Sequence, residues 1–415
     1  MKLLLSAYAC EPDRGSESGV GWHWALEIVR LGIETWVMTR ANNRAPIEAG
    51  LRALPALPNL HFLYYDLPRW ARWWKRGSRG IYLYNLLWQW GAYRKARRIH
   101  ARKSFDRVHH LTLSGIRQPS FMGNLGIPMF FGPVGGGEEA PWALRRGYGP
   151  RGWLRDALRS LSNATLRFDP FMRATFRKAQ VIYVKTPHST GVIPRRYHPK
   201  VRYQLEIGCA AAAASPPEAE PVVGDPSSFR ILYVGRFLYL KGMHLGLPAF
   251  AELAASHESA HLTMIGAGPD EARWRQLADK LGIGARVSWV PWQTQQDLLT
   301  HYRTHDVFLF PSLHDSGGTV VLEALTHGLP VVCLDLGGPA VTADERCARI
   351  VATGGRSERE VAQAVAEALR TLADDAELRR ALSEGARKRA AELTWANHVR
   401  GIYAEFGVSD GHCCD

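Results

Sequence analysis

The sequence predicts an α/β protein made of two doubly wound, Rossmann-like domains. Three observations carry that expectation: a length of 415 residues, short apolar runs alternating with helical patterns along the whole chain, and a change of charge near its middle. A chain this long exceeds one ordinary core, so two domains are the starting point. A hydrophobic content of 46% and a charged content of 22% suit folded globular domains and exclude a disordered chain. Residues 1–210 hold 33 Lys and Arg against 13 Asp and Glu, whereas residues 211–415 hold 19 against 26. The two halves face different partners, and the basic half favours an anionic one such as phosphate, lipid headgroup or nucleic acid.

The first strand is KLLLSAY (2–8). The opening MKLLLSAYAC has the look of a lipoprotein signal. Its apolar run is too short, however, and only Lys2 stands for the basic flank, so a buried strand is expected. TWVMTR (35–40), HFLYYD (61–66), RVHHL (107–111), PMFFG (128–132) and VIYVK (181–185) follow as strands. Several are apolar almost throughout, as parallel strands covered on both faces tend to be. Residues 21–32 and 93–103 read as helices between them. The stretch 209–229, rich in Ala and Pro, reads as a linker that closes a basic first domain over 1–208. The alternation then resumes with strands over 230–237, 261–268, 286–291, 306–312, 329–335 and 349–353, and with helices such as 269–282 and 357–373. This second domain covers 230–392. In open sheets of this kind ligands bind at the carboxyl ends of the strands.

Two loops of the second domain carry chemistry. Strand ILYVG runs into Gly235-Arg236-Phe237-Leu238-Tyr239-Leu240-Lys241-Gly242. Two cations at a strand's carboxyl end suit an oxyanion such as a diphosphate, which Arg binds bidentately; a turn with two solvated cations is the plainer alternative. After DVFLFPS comes HDSGGTVVLEALTHGLPVV. Gly317 and Gly318 allow close backbone approach, and a helix beginning near Thr319 offers free N–H groups and a positive dipole end to phosphate oxygens. Asp315 and Glu323 could accept hydrogen bonds from sugar hydroxyls, or be acids favoured at a helix start.

The residues VGRFLYLKG, MIGAGPDEARW, VSWVPW, DVFLFPSLHDSGGTVVLEALTHGLPVV and LGGPA, in that order over 230–340, resemble the donor-binding domain of retaining GT-B glycosyltransferases of family 4. The resemblance implies two facing Rossmann-like domains, with a closing helix over 393–410 that crosses back to the first. It implies that Arg236 and Lys241 neutralise a nucleotide diphosphate and that Glu323 binds the ribose. Asp315, in a position where the family carries Glu, and Ser316, Gly317, Gly318 and Thr319 would face the donor sugar. In the first domain it implies a Gly-rich loop at Ser18, Gly19 and Val20 near the diphosphate and acceptor. His109 and His110 would face the ligand at a strand end, joining Asp315 as catalytic residues. Gly135, Gly136 and Glu138 stand where relatives carry a donor-contacting His, and the resemblance implies that backbone groups there or Glu138 take that role, as part of the phosphate and acceptor loop.

The stretch 69–103 carries eleven Lys and Arg, eight Trp and Tyr, and no acid. Such interleaving suits an anionic membrane interface; nucleic acid, or two helices with packed Trp residues and solvated cations, are the competing readings. Residues 144–160 point the same way. Six scattered cysteines argue against a disulfide framework and for a reducing compartment, and the HCCD end reads as a tail. The expected protein is thus cytoplasmic, or peripheral on an inner membrane face. It would move a hexosyl group from a nucleotide-diphosphate sugar to a glycan or lipid-linked acceptor. No cofactor is expected beside the sugar nucleotide as co-substrate, and no metal-bridged diphosphate is expected either, since no Asp-x-Asp occurs. Nucleic acid is not an expected partner. An epimerase of the same architecture, or a silent sugar-nucleotide-binding or nucleic-acid-binding protein, remains open at this point.

Overall fold

The computed structural model describes residues 1–12, 14–71, 80–210 and 228–404. Residues 72–79 of the basic stretch, 211–227 of the expected linker, and the end from 405 with the HCCD tail lie outside the described residues. The chain divides into two compact units, 1–137 with 162–208 and 395–415, and 138–161 with 209–394. Residues 138–161, which fall inside the expected 1–208 domain, group with the second unit.

Among the described residues the first unit holds seven strands: β1 (Lys2–Ala7), β2 (Glu34–Arg40), β3 (Leu60–Tyr65), β4 (Arg107–Thr112), β5 (Met129–Val134), β6 (Ala179–Val184) and β7 (Val201–Tyr203). They form one sheet in the order β3-β2-β1-β4-β5-β6-β7, and every pairing is parallel. Its helices are α1 (Ser16–Arg30), α2 (Arg44–Arg52), α3 (Ile81–Lys103), the end of α4 (Gly149–Thr165), α5 (Pro170–Lys178), α6 (Pro187–Val192) and, after the second unit, a C-terminal helix over Trp395–Tyr403. Two apolar cores cover the two sheet faces. One gathers Tyr84, Trp88 and Phe176 around Phe131. The other gathers Trp24, Phe130, Val399, Ile402 and Tyr403 around Leu3 and Leu5. Burial on both faces is why these strands read as unbroken apolar runs. The short, largely exposed β7 lacks such a run.

The second unit holds β8 (Phe229–Val234), β9 (Ala260–Ile265), β10 (Val287–Val290), β11 (Val307–Phe310), β12 (Val331–Leu334) and β13 (Ala348–Val351), parallel in the order β10-β9-β8-β11-β12-β13. Its helices are α7 (Met243–Ser256), α8 (Glu271–Lys280), α9 (Gln295–Thr304), α10 (Thr319–Thr326), α11 (Pro339–Thr342), α12 (Glu358–Asp374) and α13 (Ala376–Glu392), which makes the C-terminal helix α14. The segment 138–161 is fastened to this unit by several contacts. The Gly147 amide donates to Glu358 Oε1 at 2.6 Å, and the ring of Tyr148 meets that of Tyr239 edge-on at 4.7 Å. Arg145, almost fully buried, pairs with Asp156 at 3.1 Å. Among the described residues no helix is long and apolar enough to cross a membrane.

Candidate active site

The strand ends of the second unit bring the two charged loops together. After β8 the chain turns through a single 3₁₀ turn at Tyr239–Lys241 into Gly242. Gly242 has φ +72, and a Cβ there would lie 1.8 Å from the Pro311 carbonyl oxygen. Only glycine lets this turn press against the end of β11. The close approach puts the Lys241 ammonium 2.5 Å from Asp315 Oδ2 and 5.0 Å from the centre of the Phe310 ring. Arg236, on the same loop, is exposed.

Asp315 has both oxygens engaged within its own unit. Oδ1 accepts from the amides of Gly317 and Gly318 at 3.1 and 2.9 Å, and Oδ2 takes the Lys241 ammonium. Burial alone would push its pKa up; Lys241 and the two amides outweigh burial and hold it below the ordinary aspartate value. The expectation of a carboxylate turned to a donor sugar is therefore not met in this arrangement. The shorter side chain folds back over its own backbone and holds the loop. Gly318, with φ +68, is the N-cap of α10. The LGGPA turn closes the other side, where the Gly338 amide donates to the Asp315 carbonyl at 2.7 Å and Thr342 Oγ1 to the Gly317 carbonyl at 3.3 Å. Ser316, Gly317 and Thr319 are half-buried along this rim.

Glu323 lies on the second turn of α10, and the Tyr302 hydroxyl of α9 donates to its Oε2 at 3.0 Å. Burial raises the Glu323 pKa, and the Tyr302 hydrogen bond lowers it in part. Tyr302 is itself buried and stacked on His327 with ring centres 5.6 Å apart. Nothing local in the sequence singles Tyr302 out. His314 escaped the sequence reading as well. It is buried, its Nε2 has no hydrogen-bond partner among the described residues, and its ring bonds to the Glu138 backbone. Burial, then the charge of Arg159, lowers its pKa to about 4. Glu138, at the end of the GGGE segment, thus belongs to the second unit and meets its loop.

Among the first-half expectations, those for His109, His110 and the loop at Ser18, Gly19 and Val20 are corrected. His109 and His110 are both fully buried on β4. Successive strand residues point to opposite faces, so the pair divides between the two cores. Nε2 of His109 lies 2.8 Å from the Gly132 carbonyl, which only accepts, so Nε2 carries the proton and Nδ1 accepts from the Tyr403 hydroxyl at 2.9 Å. Burial, partly offset by Gly132, lowers the His109 pKa to about 4, and His110 falls to about 3 for want of solvent. Both are neutral core histidines, and His109 fastens α14 to the sheet. Ser18, Gly19 and Val20 form no loop, because they sit in the first turns of α1. A Cβ at Gly19 would lie 2.3 Å from the Arg14 carbonyl oxygen and one at Gly21 2.1 Å from that of Ala9. These glycines serve close packing. Gly135 pairs with Gly115 in an isolated parallel bridge, and Gly136 takes φ +94.

Residues 220–389 match the family model of the glycosyl transferases group 1. The D-inositol 3-phosphate glycosyltransferase of Corynebacterium kroppenstedtii is 31% identical over 185 residues, 42% of this chain and 40% of that protein. The chain thus aligns with about two fifths of the length of this curated relative. Among solved structures, sucrose-phosphate synthase from Thermosynechococcus elongatus superposes with a TM-score of 0.60 at 16% identity, over 98% of each chain. Anabaena HepE in complex with UDP-glucose superposes with a TM-score of 0.55 at 13% identity, over 98% of this chain and 100% of that one. The fold is GT-B. The half that matches by sequence is the unit with the charged loops; the first unit resembles these proteins in fold alone.

Proposed function

We propose that the chain is a glycosyltransferase that moves a hexosyl group from a nucleotide-diphosphate sugar to an acceptor hydroxyl, with retention and without a metal. The observation that carries this is the loop pair of the second unit. Lys241 and Asp315 are locked beside the N-terminus of α10, and one oxygen of Glu323 stays free of Tyr302. A diphosphate would lie against Arg236, Lys241 and the free amides at the start of α10, which stabilise the leaving charge. Glu323 would accept from the ribose hydroxyls. The C1–O bond to the diphosphate breaks, the acceptor oxygen bonds C1 on the same face, and its proton passes to a diphosphate oxygen. No side chain is assigned as nucleophile. The match to a D-inositol 3-phosphate glycosyltransferase supports glycosyl transfer, and the likeness to HepE, solved with UDP-glucose, supports this class of donor.

The acceptor in this reading is lipid-linked, used in bacterial envelope or exopolysaccharide assembly at an anionic membrane surface. Support comes from α4, where Leu154, Leu158 and Leu161 recur at helical spacing and are 55 to 62% exposed, beside exposed Trp153. Arg151 and Arg155 are exposed there too, while the helix's one acid, Asp156, is buried against Arg145. An apolar stripe edged by cations alone fits an interfacial helix.

Two experiments test the reading. A panel of sugar nucleotides is screened for protection against thermal unfolding, followed by transfer assays with Glu323→Ala and Arg236→Ala. One nucleotide sugar should protect, and both substitutions should weaken binding and transfer; unchanged transfer would falsify the assignment. In vesicle flotation, binding should rise with anionic lipid and fall with salt, and Leu158→Glu should reduce it.

A further inference from the structure

Helix α3 lies against β2 and β3 of the first unit and leaves a cavity of about 1020 Å³ along its length, at the upper end of ordinary ligand pockets of about 300–1,000 Å³. Strand β3 is the edge of its sheet, so the cavity runs along the sheet margin. Its two ends differ. Trp70, Leu87 and Trp90 line one end, and they are 77, 39 and 47% exposed. Arg94, Arg98 and Arg102 line the other and are all exposed. Leu87, Trp90 and the three arginines recur every three or four residues, which puts them on one face of α3.

The charge on this face is unbalanced. The arginines stand at i, i+4 and i+8, where like charges repel. No Asp or Glu occurs between Asp66 and Asp106. The neighbouring lysines are already engaged, Lys95 Nζ with the Tyr64 carbonyl at 2.6 Å and Lys103 over the Trp36 ring at 5.0 Å. From Leu87 to Arg102 the helix face is about 22 Å long at 1.5 Å per residue. That exceeds one leaflet's hydrocarbon depth of about 15 Å and leaves room for a headgroup.

We propose that this groove binds a single anionic phospholipid, with an acyl chain against Trp70, Leu87 and Trp90 and the phosphate on Arg94, Arg98 and Arg102. Guanidinium groups suit that phosphate through paired N–H donors. The proposal deepens the membrane reading above and does not depend on glycosyl transfer.

The test titrates the full chain calorimetrically with dioctanoyl phosphatidylglycerol, kept below its micelle concentration, against dioctanoyl phosphatidylcholine. One molecule of the anionic lipid should bind per chain, at least tenfold tighter than the zwitterionic one. Arg98→Glu should bring the two affinities together, and Leu87→Glu should weaken both about tenfold. Both altered side chains are exposed, so an unchanged melting temperature separates lost binding from lost fold; Arg98→Gln serves if either variant fails to fold. Equal affinity for the two lipids, or wild-type binding by Leu87→Glu, overturns the proposal. So does an acidic amphipathic peptide that binds where neither lipid does, which would make the groove a protein-docking surface. Vesicle flotation without binding of the monomeric lipid would spare the membrane reading and overturn this one. Loss of sugar-nucleotide protection in the same samples would count against the transfer reading alone.

Discussion

The segment SESGVGW at 16–22 and the segment SGGTVVLE at 316–323 look alike as strings: serine, glycines, then an apolar helix. In the structure they do different things. Gly19 and Gly21 sit inside α1 because carbonyl oxygens of the preceding turn occupy the space a Cβ would need. Gly318 has a left-handed backbone and starts α10, and the amides at 317 and 318 are turned onto Asp315. The same residue type answers a packing demand in one unit and a backbone demand in the other. At the second, Lys241 and Asp315 pair beside the helix start.

The sharpest way to break this contrast is to add one methyl group to each segment. Gly21→Ala forces a Cβ to within 2.1 Å of the Ala9 carbonyl oxygen, a backbone atom that cannot step aside. A loss of more than about 3 kcal/mol is expected, among the larger single-residue effects. Nucleotide affinity, measured where the protein is still folded, should not change. Gly318→Ala meets looser surroundings, 3.2 Å at nearest, but must hold φ +68, costing about 1–2 kcal/mol. Its nucleotide affinity should fall about tenfold. Calorimetric melting paired with nucleotide titration separates the two, and an equal fall in nucleotide affinity for both would end the distinction.

Next in size is Asp315→Ala. It strips the partner from Lys241, whose side chain is 15% exposed, and frees two loop amides. About 2–3 kcal/mol is expected, somewhat under the figure for a fully buried broken pair. Asp315→Glu keeps the charge but adds a methylene to a side chain already folded onto its own backbone. It should recover the Lys241 pair and not the two amide bonds, giving an intermediate melting temperature. Full recovery by Glu would show that the shorter acid has no part in holding the loop.

The sequence discloses most of the fold because the strands are doubly covered, and an unbroken apolar run is what double coverage selects. It fails for β7, a three-residue edge strand with two polar residues. It also fails for residues 138–161, whose local pattern gives no sign of which sheet will receive them. In the candidate site, the placement of Arg236, Lys241, Gly317, Gly318 and Glu323 at a strand end or helix start is legible because local sequence sets it. The pairing of Lys241 with Asp315 spans 74 positions and depends on Gly242 meeting Pro311. His109 and His110 mislead for a physical reason. A strand end looks the same in sequence whether the chain's own C-terminal helix covers it or leaves it open.

The smallest effect concerns the two acids of the second segment, which are displaced in opposite directions. The Asp315 pKa is depressed, so its pairing contributes stability above the unfolded-state value and loses it as pH falls through the lower folded value. The Glu323 pKa is raised by burial, so its charged form opposes folding at neutral pH and that penalty is relieved as pH falls through the raised value. Acidification should therefore protonate Glu323 first, weakening nucleotide binding while the Lys241–Asp315 pair still holds. Tyr302→Phe deletes the hydrogen bond that pulls the Glu323 pKa down, at a cost of about 1 kcal/mol. It should weaken nucleotide binding about fivefold near neutral pH and move the acid limb of the binding profile to higher pH. A purely structural role for Tyr302 would lower the melting temperature and leave that limb where it is. Titration of the nucleotide across the acid range, with the wild type and Tyr302→Phe side by side, decides between the two.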